Sequence, residues 1–401
     1  MKPLEKNLLK VVNDMMHYES STAIELIIQT VFETIMNLER KEFLNENKDH
    51  KNKGNGYYER LVRAVNNYIK LKVPRDRLSL FKPVFLEAIQ KMDEQLQDLA
   101  FKMYTYGLTT RDTSRILGDI FGKKISASSV SNITKEFEET RKSWLSRKLD
   151  EEYYFVYVDA IWIATRRDTV QKEAYYVVIG LKKSMKRDIM GVYNIPTESA
   201  SGWETVINDL KSRGLKRVLM LTADGITGLH NVVQRTLSGT RLQKCLVHKN
   251  KNVMNIVRSS DKSLISKEFF EVFKFEDQNY KREEAEENLE KFIEKWASKY
   301  PKIRGKFKLE HYDCYFAYLN FPAKIHRMIY STNWVERLNK TIRKTEKVRN
   351  SFPSPDSALN LICAMLMEFE KNVYSYPITS FLSVKDDLDI LIKDGLSDTQ
   401  T

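Results

Sequence analysis

The chain has 401 residues and carries 66 Lys and Arg against 54 Asp and Glu, which gives a formal net charge of +12. That positive excess indicates a polyanionic partner, with nucleic acid as the first candidate. The sequence contains no run of about twenty apolar residues, so no membrane span is predicted. Its three widely spaced cysteines predict a reducing cytoplasm rather than a disulfide framework.

The first third of the chain is predicted to be mainly helical. Residues 4–45 place apolar side chains at helical spacing. The polar stretch NENKDHKNKGNGYYER (45–60) predicts a loop or linker, because it breaks that periodicity. A strand is then expected from Ile69 to Val73, where apolar and basic residues alternate until Pro74 ends it.

Two capped helices are predicted in close succession within residues 98–137. Thr109 or Thr110 can cap the first helix, and Ser126 can cap the second. A short glycine-containing connection, followed by small polar residues, is typical of a helix-turn-helix. The residues expected to contact DNA are Ser128, Ser129, Asn132 and Lys135. A helical hairpin that binds nothing is the alternative interpretation of this segment.

The middle of the chain changes to strands. A long aromatic and β-branched run, YYFVYVDAIWIA (153–164), predicts a buried central strand with Asp159 in its middle. Further strands are expected at 173–181, 189–196, 216–225 and 242–247, the last ending at His248, and helices at 199–213 and 226–237. This is the order of an RNase H-like fold, in which the first and fourth strands lie side by side. Asp159 and Asp224 are therefore predicted to meet.

These two acids indicate a metal site. Neighbouring carboxylates repel each other, and Mg²⁺ relieves that repulsion because it binds oxygen ligands. Magnesium held by a few carboxylates and substrate phosphates suits two-metal phosphoryl transfer, so we expect two Mg²⁺ ions, with Mn²⁺ as the substitute. From spacing alone the alternative stays open that Asp224 is a turn residue and Asp159 belongs to a buried ion pair.

A basic helix near the C-terminus carries a third candidate acid. The stretch IYSTNWVERLNKTIRKTEKVRN (329–350) predicts a helix with cap candidates at 331–333. Glu336 lies in its first turn, where the helix dipole favours an ionised acid that could complete the metal site. A solvated helix in which Glu336 pairs with Lys340 is the alternative. The residues of this helix expected to bind DNA are Asn339, Lys340, Arg343, Lys344 and Lys347.

The motifs DAIW, LTADG, KCLVHK and IYSTNWVERLNKTIRKTEKVRNSFP resemble those of the Mutator-type DDE transposases of bacterial insertion sequences. The resemblance covers roughly residues 50–375 and includes the upstream GLTTRD and VPRDR. It implies that Asp159, Asp224 and Glu336 are the catalytic triad and the metal ligands. It also implies binding of terminal inverted repeats and target DNA, a homodimer or higher oligomer on the two ends, and commonly a circular excised intermediate. The IW of DAIW and Trp334 depart from the family's usual residues outside the triad.

By the same resemblance, Cys245 and His248 form a pair beside the active site that supports the core. A zinc site made of this pair with His311 and Cys314 is an alternative that needs all four ligands around one ion. The aromatic segment HYDCYFAYLNFP (311–322) could stack on unpaired bases, but ordinary helical core is the preferred interpretation.

The sequence thus predicts an α/β protein whose RNase H-like catalytic core, built on a mixed five-stranded sheet, is interrupted by an α-helical insertion. The expected boundaries are 1–150 for a mainly helical region of DNA binding and oligomerisation, 151–248 and 329–375 for the core, 249–328 for the insertion and 376–401 for a C-terminal tail. The expected activity is Mg²⁺-dependent cleavage and strand transfer, in the bacterial cytoplasm at the nucleoid. Two alternatives stay open: a DNA-binding protein that no longer cuts, and an RNase H-like nuclease without strand transfer.

Overall fold

A computed structural model describes residues 20–46, 52–64, 67–105, 108–121, 126–195, 200–224, 228–307, 312–349 and 351–394. The chain divides into two compact units, residues 1–135 and residues 136–401. Within the described ranges, no helix combines the length and the apolar character that crossing a membrane requires.

The strands of the described residues fall into two sheets. The first unit holds β1 (Gly54–Ala64) and β2 (Asn67–Asp76). The second unit holds β3 (Glu152–Arg166), β4 (Val170–Lys182), β5 (Arg187–Asn194), β6 (Arg217–Ala223) and β7 (Arg241–Lys244).

Helices fill the remainder of both units. Those that begin before the large sheet are α1 (Ser20–Glu46), α2 (Val84–Thr105), α3 (Thr110–Phe121) and α4 (Ala127–Leu145). Those within or after the large sheet are α5 (Ala200–Ser212), α6 (Leu229–Thr236), α7 (Leu246–Met254), α8 (Lys262–Glu271), α9 (Arg282–Ala297), α10 (Asp313–Phe316), α11 (Ala323–Ile329), α12 (Asn333–Arg349), α13 (Pro355–Phe369), α14 (Thr379–Leu382) and α15 (Lys385–Asp394). Short 3₁₀ turns span Pro301–Lys306 and Ala317–Asn320, and a π-helical turn spans Glu370–Tyr374.

The small sheet is an antiparallel hairpin of β1 and β2. The predicted strand at 69–73 is confirmed, although it continues past Pro74, which the two-stranded sheet tolerates because both strands are edges. The predicted loop or linker at 45–60 is wrong from Gly54 onward, since β1 begins there, while residues 47–51 lie outside the described ranges. Apolar side chains of the hairpin, including Val62 and Leu71, pack with α1 and α2 and so offset the polar composition of β1.

The two capped helices predicted in the first unit are present as α3 and the beginning of α4. Thr109 Oγ1 accepts a hydrogen bond from the Asp112 backbone N–H at 3.1 Å, and Ser126 Oγ accepts one from the Ser129 N–H at 3.0 Å. Each cap satisfies a backbone donor that the first helical turn leaves free. Val130 on α4 is buried in a cluster with α2 and α3. The turn expected between the two helices lies outside the described residues.

The large sheet has the strand order β5-β4-β3-β6-β7. The central strand β3 pairs antiparallel with β4 and parallel with β6, and β6 pairs parallel with β7. The predicted neighbourhood of the first and fourth strands of this region is therefore confirmed. The last strand is shorter than expected, because the chain turns at Cys245 and enters α7, so His248 lies on a helix and not at a strand end.

Both faces of the large sheet are covered by helices. Alternate residues of β3, such as Val156 and Val158, join a cluster with Trp203 and Ile207 of α5. The intervening residues face the opposite side, where Tyr157 packs on Trp334 of α12 with ring centroids 4.9 Å apart. This alternation decides on which face of the sheet each side chain of β3 lies.

The C-terminal segment, predicted as a tail, packs on the sheet through its two helices. Phe381 of α14 contacts Phe155 and Trp334, with ring centroids 5.7 and 5.8 Å apart. On α15, Asp389 accepts a hydrogen bond from the Tyr154 hydroxyl at 2.5 Å. Residues 379–394 therefore contribute to the core of the second unit.

Candidate active site

Asp159 is a buried acid on the central strand. Its side chain is 6 % exposed, and it shares with Tyr157 the face of β3 that α12 covers. The Asn339 amide of α12 donates a hydrogen bond from Nδ2 to Asp159 Oδ2 at 3.0 Å. A charged group this deeply buried needs donors or cations around it, and the neighbouring elements supply them.

Asp224 lies beside Asp159 because of the parallel register between β3 and β6. Val158 of β3 is paired with Ala223 of β6, and Asp159 and Asp224 are the residues that directly follow these two. Asp224 directly follows the last residue of β6 and is half-buried. The predicted meeting of the two acids is thus built into the sheet.

Glu336 lies in the first turn of α12, as predicted. Its backbone N–H donates to the Thr332 carbonyl at 2.9 Å, which closes the first turn. The helix presents Val335, Leu338 and Ile342 to the core. That packing holds the N-terminal end of α12 over the face of β3 from which Asp159 projects.

The Cys245 segment links β6 to the start of α12. Its backbone N–H donates to the Ala223 carbonyl at 2.7 Å, next to Asp224. Its Sγ lies 3.4 Å from both the backbone nitrogen and the hydroxyl of Thr332, the residue that precedes α12. Cys245 therefore contacts the backbone at the start of the helix that carries Glu336.

Two cationic side chains of α7 hold Glu336. His248 Nε2 lies 3.3 Å from Glu336 Oε1, and Lys251 Nζ lies 3.0 Å from the same oxygen. Glu336 is largely buried, whereas Lys251 is more than half exposed. The site thus accommodates positive charge directly at this carboxylate.

The pKa values of Asp159 and His248 reflect the burial of these two groups and the charges around them. Burial raises the pKa of Asp159 to about 6, the charges of Glu336 and Asp224 act in the same direction, and His248 opposes them. Burial alone lowers the pKa of His248, but its interactions with Cys245, Asp224 and Asp159 raise it to about 9. His248 is therefore a cation at neutral pH, and Asp159 is an acid whose ionisation the protein resists.

The residues of α12 that were predicted to bind DNA lie in different positions. Lys340 and Arg343 are exposed, whereas Asn339 is buried and directed toward Asp159. The structure places Asn339 where it contacts a candidate catalytic acid and not on the exposed face of the helix. The side chains of Lys344 and Lys347 lie outside the described part of the structure.

The polar residues predicted for DNA contact in the first unit lie at the start of α4. Ser128, Asn132 and Lys135 are exposed, and Ser129 is partly buried. The Ser129 hydroxyl is 2.8 Å from the Ser126 hydroxyl, so it belongs to the helix cap. Asn132 is the exposed amide of this group and is free of the cap.

The zinc alternative gains no support from the described residues. Among them, the one group of three potential ligands with all donor atoms within 4.8 Å of one another is His230, Asp313 and Cys314, without Cys245 or His248. Burial raises the pKa of Cys314 to about 12, so this thiol is a neutral part of the core. His311 lies outside the described ranges. Asp159, Asp224 and Glu336 are not such a group, so their nearest carboxylate oxygens do not all lie within 4.8 Å of one another in this structure.

The aromatic segment at 311–322 belongs to the core. Tyr315, Phe316, Tyr318 and Phe321 are all buried. The Tyr318 backbone N–H donates to the Gln243 side-chain oxygen at 3.0 Å, which ties the segment to β7. The preferred interpretation from sequence is confirmed for these residues.

Two further residues of the site were not predicted from the sequence. Lys251 contacts Glu336, and Thr332 contacts Cys245. The available signal for Lys251 was its position one helical turn after His248, which places both on one face of a helix. The sequence prediction put His248 at the end of a strand and Lys251 in the helical insertion after it, so it did not indicate a face shared by the two residues.

The fold and the site define an α/β protein in which three acidic residues lie between a mixed sheet and the helix α12 that packs on it. The sequence matches the family described as Transposase, Mutator family, over residues 2–375. The chain belongs to this family.

Relatives of similar length support that assignment. The transposase for insertion sequence element IS905 of Lactococcus lactis is 27 % identical over 358 residues, covering 89 % of this chain and 90 % of the relative. The transposase for insertion sequence element IS256 in transposon Tn4001 of Staphylococcus aureus is 30 % identical over 357 residues, covering 87 % and 90 %. The transposase for IS1201 of Lactobacillus helveticus is 29 % identical over 359 residues.

Proposed function

We propose that the protein is a DDE transposase that binds the terminal inverted repeats of an insertion sequence and cuts and joins DNA with Asp159, Asp224 and Glu336. The observation that carries the proposal is geometric. The register of β3 and β6 sets Asp224 beside Asp159, and a hydrogen bond from Asn339 joins Asp159 to α12, the helix that carries Glu336. Membership of the Mutator family supports DNA cleavage and transfer as the activity. The order of the strands supports an RNase H-like core.

The donor set of the site fits magnesium. Three carboxylates from β3, the end of β6 and α12 offer hard oxygen ligands, and Glu336 already lies against two cationic groups. Two Mg²⁺ ions held there would supply activation of the attacking oxygen and stabilisation of the leaving oxygen. Asp159, Asp224 and Glu336 would hold the ions, and Mn²⁺ is the expected substitute.

The reaction has two steps with the same chemistry. Water attacks the phosphorus at the transposon end, the bond to the 3′-oxygen breaks, and that oxygen leaves as a hydroxyl. The freed 3′-hydroxyl then attacks a phosphorus of the target strand, and the target 3′-oxygen leaves. The exposed Lys340 and Arg343 of α12 would bind the phosphates of the strand at the acids.

Recognition of the ends is assigned to the first unit. The helix-turn-helix would consist of α3 and the beginning of α4, with Ser128, Asn132 and Lys135 exposed for contact. Because transposition joins two ends, we propose a homodimer or higher oligomer on DNA. The excess positive charge of the chain supports a DNA partner.

The test is cleavage of a labelled duplex that carries the inverted repeat flanking the gene, in Mg²⁺. Asp159→Asn, Asp224→Asn and Glu336→Gln should each abolish strand cleavage and joining while leaving binding to the duplex close to that of the unmodified protein. Each change removes a metal-binding charge at nearly constant volume. Asp168→Asn, at an exposed turn between β3 and β4, is the matched control and should cut normally.

Cleavage that survives in any one triad variant would remove that residue from the assignment. Cleavage without joining would make the protein a nuclease. Binding without cleavage by the unmodified protein would make it a DNA-binding protein only.

A further inference from the structure

We infer that Asn339 is a positioning residue that fixes the carboxylate of Asp159 for metal binding, an inference that rests on the proposed function. Its Nδ2 donates to Asp159 Oδ2 at 3.0 Å and lies 3.5 Å from the Ala160 carbonyl. Both side chains are buried, with 1 % of Asn339 and 6 % of Asp159 exposed. The contact joins residues that are 180 positions apart in the chain.

The orientation of the amide follows from charge. An ionised carboxylate can only accept hydrogen bonds, so the amide nitrogen of Asn339 must face Asp159 and the amide oxygen must face away. Asn339 Oδ1 is buried and has no hydrogen-bond partner among the described residues. A buried acceptor without a hydrogen bond lowers the stability of the fold, and a leucine in the same position would avoid that cost. The amide is therefore best explained by what its donor does for Asp159.

The helix gives Asn339 a second connection to the site. Glu336 lies one turn earlier on the same side of α12, so the two residues project toward the same region. Asp159 and Glu336 come from separate elements, and the hydrogen bond from Asn339 ties the helix of one to the strand of the other. Loss of the amide would free the Asp159 carboxylate to rotate and would leave it buried without this side-chain donor.

A group that orients a metal-ligating side chain through a hydrogen bond has a measurable effect on metal binding. Removing a hydrogen bond that orients a ligating side chain typically lowers metal affinity or activity by about 10–100-fold. We therefore expect Asn339→Leu, which keeps the buried volume and removes the donor, to weaken Mn²⁺ binding by at least about tenfold. Binding to the terminal repeat should be unchanged, because Asn339 is not on the exposed face.

The experiment titrates Mn²⁺ into the full-length protein and follows free Mn²⁺ by electron paramagnetic resonance, with thermal unfolding recorded in parallel. Asn333→Leu, the same change at an exposed position of α12, is the matched control and should bind Mn²⁺ normally. Asn339→Ser is the second variant, since it cannot overpack and its hydroxyl is too short to replace the amide. Cleavage by folded Asn339 variants should recover as Mn²⁺ is raised.

An unchanged Mn²⁺ affinity in a folded Asn339 variant would overturn the inference, as would unfolding of both variants, which would make the residue structural. Asp159→Asn separates this failure from that of the proposed function. If Asp159→Asn binds Mn²⁺ as the unmodified protein does, the proposed metal site is wrong. If Asp159→Asn loses Mn²⁺ and folded Asn339→Leu does not, only the role of Asn339 is wrong.

Discussion

Two buried acids of the large sheet lie in different electrostatic environments. Asp188 on β5 and Asp159 on β3 are equally buried. Asp188 accepts hydrogen bonds from the Tyr153 hydroxyl at 2.5 Å and from Arg147 Nη2 at 2.8 Å. Burial alone would raise the pKa of Asp188, but these groups and Lys182 hold it below its ordinary value. Burial raises the pKa of Asp159 as well, and the charges of Glu336 and Asp224 add to that rise, while His248 opposes it without cancelling it.

The contrast predicts opposite effects of removing each charge. Asp188→Asn should lower the free energy of unfolding by about 3 kcal/mol, the low end for a broken buried pair, because Arg147 keeps its contact with Glu370. Asp159→Asn should leave that free energy unchanged or raise it, since a charge that the fold resists is removed. Urea unfolding of both variants at neutral pH makes the comparison.

The lowered pKa of Asp188 decides how the stability of the fold changes with pH. The pKa of Asp188 is lower in the folded than in the unfolded protein, so its stabilisation is present above the unfolded pKa and is lost as the pH falls through the folded pKa. Unmodified protein should therefore lose stability in acid more steeply than Asp188→Asn. Equal acid sensitivity of the two would show that Asp188 is not held ionised by its partners.

At the scale of the element, α12 has a buried face and an exposed face that carry different groups. The buried face packs on β3 and presents Asn339 to Asp159, and the first turn presents Glu336. The exposed face carries Lys340 and Arg343. A helix that binds both the acids and the phosphates would place the strand to be cut directly at the acids.

This arrangement predicts that Arg343→Ala weakens binding to terminal-repeat and random DNA equally. The salt slope of binding should fall by about one unit for the lost phosphate contact, and cleavage at saturating DNA should slow further, because the phosphate is less well placed. Lys216→Ala, an exposed base before β6 and so at the end of that strand away from Asp224, should change none of these. An unchanged slope together with normal cutting would make the exposed face of α12 an ordinary solvated surface.

The start of α4 gives the complementary prediction about sequence recognition. Asn132→Ala should weaken binding to the terminal repeat by about 1–3 kcal/mol more than binding to random DNA, as expected for a lost base contact. Lys135→Ala should weaken both equally, because a lysine on phosphates reads no sequence. Ser129 is a poorer probe, since its hydroxyl also contacts Ser126 in the helix cap. Equal losses for Asn132→Ala on both DNAs would reduce α3 and α4 to a structural hairpin.

The elements that could be predicted from sequence are those whose signals are local. The long apolar run of β3 and the caps at Thr109 and Ser126 are local patterns, and each is present. β1 was missed because its pairing with β2 depends on packing against α1 and α2, which its own polar residues do not reveal. Tertiary context decides such strands.

The residues of the candidate site also differ in whether the sequence could predict their positions. Asp159 and Asp224 could be brought together from the strand order, since register places them side by side. The inward direction of the Asn339 side chain could not be predicted, because helical spacing alone leaves open which face of α12 meets the sheet. The contacts of Glu336 with His248 and Lys251 join segments more than eighty residues apart, and no local pattern specifies them.

At the scale of the whole molecule, the helical segment between Asp224 and Glu336 forms its own aromatic core. Phe269 of α8 contacts Phe273, Phe292 and Phe307, with ring centroids 5.0–6.3 Å apart. After this segment the chain returns to the large sheet and places α12 on the face of β3. Hydrogen bonds from Leu246 N–H to the Tyr330 carbonyl and from the Thr222 hydroxyl to the Ile329 carbonyl secure that return.

The central claim is that Asp159, Asp224 and Glu336 hold the same metal ions. Fe²⁺ bound in place of Mg²⁺ reduces added hydrogen peroxide to hydroxide and a hydroxyl radical, and ascorbate returns the resulting Fe³⁺ to Fe²⁺. The radicals cut the polypeptide near the ion, and mass spectrometry locates the cuts. We predict cuts close to all three acids in the unmodified protein, suppressed together by excess Mg²⁺ and lost together in Asp159→Asn. Cuts near only one of the acids, or cuts that persist in Asp159→Asn, would contradict a shared metal centre.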